Sequence, residues 1–360
     1  PYELQGVDPA AAPLVEAVAA RAREISHVEP QILWGDPAEF RRCAEQNDLG
    51  AFGRLVSANS TTMQRHLAAG GAFLFLLGSR PALLQGIPAA RAARLRELAW
   101  EEFGPVIQPL IGGASQWCVA PAPTADWAEA AFADLAAEER LPALWRIVLE
   151  SCRGHLADPV AEWETHLAEL GRRCAELNAR RVRAVRYRGA GTDLTVTLPG
   201  KHRWCSAAHL TRGGIRFVQN LPTDELFTAP HRASATGRVF VARPVSYAGR
   251  IMEGIELEFS HGVVTGARAA RGEDVLRELL AADDGAARLG EVAFIPDESV
   301  LRRAGRLLHH PLLDENALPH IALGAAYRFC LDSFFPFGLN RSLLHVDLPL
   351  EATVEFDPPA

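Results

Sequence analysis

Helical and strand-like patterns alternate through the first half of the chain. Helical stretches are predicted at about 9–25, 87–104, 126–137 and 159–178. The solid apolar run Ala72–Leu77 is bounded by glycines, which is typical of a strand buried on both faces. Segments 2–7 and 30–34 are interpreted as shorter strands. Strands that alternate with helices in this way predict a parallel sheet covered by helices.

The pattern changes near residue 180, where apolar and polar residues begin to alternate in the manner of half-buried strands. Such strands are predicted at 183–187, 192–198, 237–242, 255–259 and 262–266. One helix is predicted at about 273–282, and a second begins near Pro319. We therefore expect an α/β N-terminal domain with a mostly parallel sheet, residues 1–182, and an α+β C-terminal domain with mainly antiparallel sheet, residues 183–360.

Composition narrows the class of protein. The chain has 360 residues, of which 48% are hydrophobic and 22% are charged, as in an ordinary soluble protein. Its formal net charge of -7 argues against a nucleic-acid-binding surface. No apolar run approaches the roughly 18 residues that span a bilayer, and the first residues lack the basic and apolar regions of a signal peptide. We expect a cytoplasmic protein with no membrane partner.

Familiar catalytic and binding motifs are missing from the sequence. The six cysteines form no C-x-x-C pair, so a zinc ribbon is excluded and reduced thiols are expected. The N-terminal half has no G-x-G-x-x-G segment, which argues against dinucleotide binding. No G-x-S-x-G elbow is present, which argues against a serine hydrolase of that type.

Residue types that bind metals gather in four segments of the C-terminal part, at 220–230, 290–293, 314–327 and 345–347. Carboxylates and imidazoles together suit zinc, cobalt or manganese better than calcium, which prefers oxygen ligands alone. Two divalent metal ions that share carboxylates would hold and deprotonate a water molecule. The set therefore indicates a hydrolase with two metal ions.

Histidine spacing supports this interpretation but does not require it. His345 and Asp347 lie two apart on a predicted strand, so they share a face and could reach one ion, or could simply form a hydrogen-bonded pair. His320 and Tyr327 lie seven apart on the helix predicted after Pro319, so they would share a helical face. A buried histidine and a hydrogen-bonded tyrosine are the ordinary alternatives.

The glutamates also have ordinary explanations. Glu315 precedes the predicted helix and could cap it, or could act on a metal from the preceding loop. Glu291 precedes an apolar run that is predicted to be a strand, so it is either exposed at the end of that strand or positioned there for a functional role. Glu225 lies in a turn bounded by prolines, where polar residues are common.

Taken in order, these segments resemble the thermophilic-type metalloaminopeptidases, the family of aminopeptidase T and aminopeptidase S. The resemblance covers nearly the whole chain, and its pieces are segments 117–128, 189–194, 220–230, 285–293, 313–324 and 340–347. The glycine–glutamate, Asp-Glu-Asn-to-His and His-x-Asp segments in this order are highly specific together.

The resemblance implies that two divalent metals are surrounded by seven residues, Glu225, Glu291, Glu315, His320, Tyr327, His345 and Asp347. It implies that Glu291 or Asp347 bridges the metals and that Glu225 or Glu291 acts as general base. Tyr327 would ligate a metal or donate to the developing oxyanion. The C-terminal domain would be catalytic, and a homodimer would enclose the active sites and admit only short peptides.

Departures from the family pattern concern the substrate pocket. Asp224 replaces the first of two glutamates that the family usually has, while Glu225 is retained. After Asp347 the chain continues as Leu348-Pro349, and the proline is expected to remove a ladder donor beside the site. An aminoacyl group on a small metabolite is therefore an alternative substrate, and a degenerate binding protein is a further alternative.

Overall fold

The computed structural model describes residues 6–80, 83–247, 250–333, 335 and 337–357. These residues form two compact units, Pro1–Cys152 with Ala208–Leu221, and Arg153–Ala207 with Pro222–Ala360. The division into domains after residue 182 stays a prediction, although the helix that precedes it groups with the second unit. Among the described residues, no helix combines the length and apolarity needed to cross a membrane.

The first unit is mainly helical. Its helices are α1 (Ala12–Ser26), α2 (Pro37–Gln46), α3 (Leu49–Ala68), α4 (Ala89–Ile111), α5 (Ala125–Ala131) and α6 (Ala137–Ser151). The sequence patterns missed α2 and α3, although both have clear start signals. Asp36 accepts a hydrogen bond from the Glu39 N–H at 2.9 Å, and Asp48 accepts one from the Ala51 N–H at 2.8 Å, so each carboxylate caps a helix.

The sheet of the first unit is small and parallel, as its pattern predicts. Strand β1 (Phe73–Leu77) pairs in parallel with β2 (Trp117–Pro121). Leu74 is 47% exposed, so the prediction that β1 is buried on both faces is wrong. The predicted strand at 30–34 reduces to a bridge between Trp34 and Val7, and the rest of segment 2–7 lies largely outside the described residues.

The second unit contains most of the antiparallel sheet. Its helices are α7 (Pro159–Arg180), α8 (Glu273–Leu280), α9 (Val300–Ala304) and α10 (Pro311–Glu315). Strands are numbered along the whole chain, and the hairpin strands β5 (Ala208–Leu210) and β6 (Arg216–Val218) belong to the first unit. The strands of the second unit are β3 (Ala184–Gly189), β4 (Thr192–Thr197), β7 (Leu226–Thr228), β8 (Thr236–Val241), β9 (Val245–Tyr247), β10 (Arg250–Ser260), β11 (Val263–Arg271), β12 (Leu289–Phe294), β13 (His320–Gly324), β14 (His345–Pro349) and β15 (Ala352–Asp357). The larger sheet has the order β11-β10-β8-β4-β3-β15, with β9 paired to β10, and the smaller sheet has the order β14-β13-β12-β7.

One apolar core joins the two sheets of the second unit. Val292, Ile321 and Val346 enter it from three strands of the smaller sheet, and Tyr187 enters it from β3. The Tyr187 hydroxyl lies 3.0 Å from the carbonyl oxygens of both Ala293 and His320, so it donates to the backbone of β12 and β13. Because side chains alternate along a strand, residues between these core positions face the opposite side of the smaller sheet.

The helix predicted from Pro319 is wrong, because residues 320–324 form strand β13. A short apolar run does not distinguish a strand from a buried helix, and here all five residues are buried between β12 and β14. His320 and Tyr327 therefore do not share a helical face. Glu315 likewise does not cap a following helix, because it is the last residue of α10.

Candidate metal centre

Strand alternation places four ligand-type side chains on one face of the smaller sheet. Glu291 lies on β12 opposite Ala322 of β13, and Ala322 lies opposite Asp347 of β14. His320 begins β13 and His345 begins β14. The prediction that His345 and Asp347 share a strand face is confirmed, and the neighbouring strands add Glu291 and His320 to that face.

Glu291 is the carboxylate shared between the two histidines. Its Oε1 lies 3.3 Å from His320 Nε2, and its Oε2 lies 3.8 Å from His345 Nε2. Asp347 Oδ1 is 3.3 Å from His345 Nε2, and Glu225 Oε2 is 3.5 Å from His320 Nε2. The side chains thus form two adjoining groups that meet at Glu291.

Each group has the spacing of a metal site. One ligand atom from each of Glu225, Glu291 and His320 lies within 4.8 Å of the others, and the same holds for Glu291, His345 and Asp347. Carboxylate and imidazole donors in this mixture fit zinc, cobalt or manganese. The residues present are therefore suited to hold divalent cations.

Glu315, at the end of α10, and Tyr327, in the loop after β13, complete the cluster. The Glu315 carboxyl group hydrogen-bonds to Asp347. The Tyr327 ring centroid lies 4.9 Å from that of His345, and the ring stacks on Phe329 at 5.2 Å. All seven residues singled out in the sequence therefore lie together, while their individual roles stay predictions.

Backbone carbonyls orient both imidazoles. His320 Nδ1 lies 3.2 Å from the Leu318 carbonyl oxygen, and His345 Nδ1 lies 2.8 Å from the Ala325 carbonyl oxygen. A carbonyl oxygen only accepts, so each Nδ1 carries a proton and donates. Each Nε2 therefore points into the carboxylate cluster, as in histidines that bind a metal through Nε2.

The charge balance of the cluster also favours a bound cation. Burial and the nearby Glu291 charge raise the pKa of Glu225 to about 8. Burial and Glu225 raise the pKa of Glu315 well above its usual value. Although burial opposes a charged imidazole, the surrounding carboxylates raise the pKa of His320 to about 9 and that of His345 to about 10. Without metal, Glu225, Glu315 and the two imidazoles therefore retain protons that cations would replace.

Two glycines make room for these strands to approach. A Cβ at Gly290 would lie 2.2 Å from the Ala325 carbonyl oxygen, and one at Gly324 would lie 2.2 Å from the Leu344 carbonyl oxygen. Gly290 occupies an irregularity in the β12–β13 pairing immediately before Glu291. The glycine–glutamate pair in the sequence thus reflects close backbone packing that directs the carboxylate.

Sequence reasoning missed the buried asparagines beside the cluster. Asn340 donates to the carbonyl oxygens of Gly285 and Gly324, at 2.8 and 2.6 Å. Asn316, directly after Glu315, accepts from the Asp224 N–H at 2.7 Å. Both lie in segments that carry the family resemblance, and that position was the signal that could have identified them.

Pro349 does not weaken the sheet as its position suggested. The Leu350 N–H donates to the Pro319 carbonyl oxygen at 2.8 Å. Because successive residues of a strand donate to opposite sides, the Pro349 nitrogen points away from β13, toward the open edge of β14. The expectation that this proline removes a ladder bond beside the site is wrong.

Comparisons with known proteins agree with this geometry. The family model described as thermophilic metalloprotease (M29) matches residues 6–354. The chain is similar to aminopeptidase T of Thermus thermophilus, with 39% identity over 79% of this chain and 71% of that protein. It is also similar to aminopeptidase AmpS of Bacillus subtilis, with 35% identity over 77% of this chain and 70% of that protein. The solved structure of wild-type AmpT from Thermus thermophilus superposes with a TM-score of 0.88 at 34% identity, covering 97% of this chain and 88% of that one.

Proposed function

Because this chain belongs to the thermophilic metalloprotease (M29) family, we propose that its carboxylate–histidine cluster holds two divalent metal ions and removes the N-terminal residue from short peptides. Family membership makes the chain a metal-dependent hydrolase, and its relatives are named aminopeptidases. The observation that carries the proposal is Glu291, whose two oxygens face two different histidines. Such a carboxylate is suited to bridge two cations.

In this proposal Glu225, Glu291 and His320 hold one ion, and Glu291, His345 and Asp347 hold the other. Glu315 adds a further carboxyl group beside Asp347, and Tyr327 lies beside His345 without being needed to hold an ion. Divalent cations of the zinc, cobalt or manganese type, when bound, activate a water molecule and polarise the carbonyl group of the first peptide bond.

Glu225 is the proposed general base, because only one of its carboxylate oxygens faces a histidine, whereas both oxygens of Glu291 do. It takes a proton from the attacking water and returns it to the leaving amine as the peptide C–N bond breaks. Tyr327 donates its hydroxyl proton in a hydrogen bond to the carbonyl oxygen while negative charge develops there. Burial and the nearby Glu291 charge raise the pKa of Tyr327 well above its usual value, which keeps this donor protonated.

The experiment combines metal analysis with hydrolysis of leucine p-nitroanilide and of dipeptides. We expect two ions per chain and turnover that a chelator abolishes. In Glu291→Gln we expect loss of both the bound metal and the turnover. Glu256→Gln is the matched control, because Glu256 is exposed on β10 away from the cluster. Bound metal without turnover of these substrates would instead favour an aminoacyl derivative of a small metabolite, and the absence of metal would overturn both activities.

Two further expectations extend the proposal. The resemblance to the family implies a homodimer whose enclosed active sites exclude long peptides, and the composition favours a cytoplasmic location. Sedimentation of the purified chain tests whether it is a dimer. Hydrolysis rates on peptides of increasing length test whether long peptides are excluded.

A further inference from the structure

We propose that Asn316 is a positioning residue that holds Glu225 and Glu315 in register across the metal centre. The inference rests on the proposed function, because it assigns these two glutamates to one site. Glu225 lies in the loop directly before β7, whereas Glu315 ends α10, far away in the sequence. Asn316 follows Glu315 directly, and Asp224 precedes Glu225 directly, so a bond between them joins the two segments.

Asn316 is fully buried and uses both ends of its side chain. Its Oδ1 accepts from the Asp224 N–H at 2.7 Å, and its Nδ2 donates to the Leu312 carbonyl oxygen at 2.8 Å within α10. Its own carbonyl oxygen accepts from the Ser299 hydroxyl at 3.1 Å. Adjacent Cα atoms are about 3.8 Å apart, so the bond to Asp224 acts one residue away from each glutamate.

The Asp224 side chain anchors the same segment from the other side. His166 Nε2 lies 2.8 Å from the Thr223 carbonyl oxygen and 3.1 Å from Asp224 Oδ1, so this nitrogen carries the proton. His166 Nδ1 then accepts from Arg153 Nη2 at 2.8 Å, and that guanidinium lies 3.5 Å from Asp224 Oδ1. The Asp224 carboxylate therefore has an imidazole N–H and a guanidinium as partners.

The hydrogen bonds of Asn316 and His166 position this segment in a way that apolar packing would not. Directional bonds to Asn316 and His166 specify where the backbone before Glu225 lies, whereas apolar contacts tolerate sliding. Groups that orient metal ligands typically change metal affinity or activity by about 10- to 100-fold when they are removed.

The test compares Asn316→Ala with Asn178→Ala. Asn178 is a matched control, because it also holds a backbone segment through both ends of its side chain. It accepts from the Trp204 N–H at 2.8 Å and donates to the Trp204 carbonyl oxygen at 3.2 Å, and neither residue adjoins one of the seven cluster residues in the sequence. The measurements are titration of the metal-free protein with Co²⁺, followed by its visible absorption, and kcat and KM for leucine p-nitroanilide.

We expect Asn316→Ala to weaken Co²⁺ binding by about 10- to 100-fold, to alter the Co²⁺ absorption bands and to lower kcat. Asn178→Ala should lower the unfolding temperature but keep the wild-type Co²⁺ affinity and spectrum. Wild-type Co²⁺ affinity and spectrum in Asn316→Ala would overturn the inference, as would equal losses in both variants. Wild-type protein that neither binds metal nor turns over would instead overturn the proposed function.

Ser299→Ala provides a milder second variant if Asn316→Ala does not fold. It removes the bond to the Asn316 carbonyl oxygen, together with the cap of α9 and the contact with the Asp224 carboxyl group, and leaves the bond between the Asp224 N–H and Asn316 in place. We expect a smaller loss of Co²⁺ affinity in the same direction. An unchanged Co²⁺ titration in this variant, with Asn316→Ala unfolded, would assign Asn316 a purely structural role.

Discussion

Tyr327 is the residue of the cluster whose role depends most on a single atom. Its ring is held between His345 and Phe329, so the hydroxyl is the part available for chemistry. Removal of that hydroxyl therefore tests catalysis without disturbing the packing of the ring.

For Tyr327→Phe we expect kcat for leucine p-nitroanilide to fall roughly 100- to 1000-fold, the usual cost of losing one donor to a developing oxyanion. Bound metal should remain at the wild-type level, measured by elemental analysis. A kcat within a factor of two of wild type would show that the hydroxyl does not act on the transition state.

The protonation of three cluster residues predicts how the metal affinity depends on pH. Without metal, the pKa values of Glu225, His320 and His345 are about 8, 9 and 10, so these groups are protonated at neutral pH. A cation must displace those protons, so its apparent affinity should rise as pH increases from about 6 toward 9.

Calorimetric titration with Zn²⁺ at pH 7 in buffers of different ionisation enthalpy measures this effect directly. We expect net release of protons on binding, and tighter binding at pH 8 than at pH 6. Binding without proton release would contradict the assignment of these three residues to the metals.

At the scale of elements, β13 is the central strand of the site. It carries His320, and its small residues Ala322 and Gly324 leave space between the ligands of β12 and β14. Gly324 has φ 103°, and a Cβ there would lie 2.2 Å from the Leu344 carbonyl oxygen. The close approach therefore involves the backbone of Leu344, the residue directly before His345.

Gly324→Ala should therefore lower the free energy of unfolding by about 1–3 kcal/mol or more, from backbone strain alone, and weaken metal binding. Gly171→Ala in α7 is the control, because a Cβ there meets nothing within 4 Å. That variant should be stabilised by about 0.5–1 kcal/mol. Thermal unfolding with and without Zn²⁺ distinguishes the two, and a neutral Gly324→Ala would contradict the account of this strand crossing.

For the molecule as a whole, metal binding should couple to stability. The second unit buries Glu225 and Glu291 beside Asp347, and their mutual repulsion is relieved only by protons or cations. A ligand that binds only the folded state stabilises it by mass action.

Treatment with a chelator should lower the unfolding temperature, and Zn²⁺ or Co²⁺ should restore it. At free metal of about 100 times Kd the gain is about 2.7 kcal/mol for one site. Since two compact units are present, the transition of the second unit is the one expected to move, as followed by calorimetry. An identical unfolding profile with and without chelator would argue against tight metal binding.

The sequence by itself determined the residue types, the fold class and the order of the ligand segments. His345 and Asp347 share a face because strand geometry is local, with a period of two residues. The helix start at Asp36 was equally readable, although it was missed, because capping is local too.

Only the tertiary structure decided what depends on pairing between distant segments. Whether residues 320–324 form a helix or a strand was settled by neighbours on both sides, because a short apolar run fits either. The shared position of Glu291 follows from strand register, and the bond from Asp224 to Asn316 joins segments about ninety residues apart. Such relations are properties of long-range pairing and packing, so local pattern alone does not contain them.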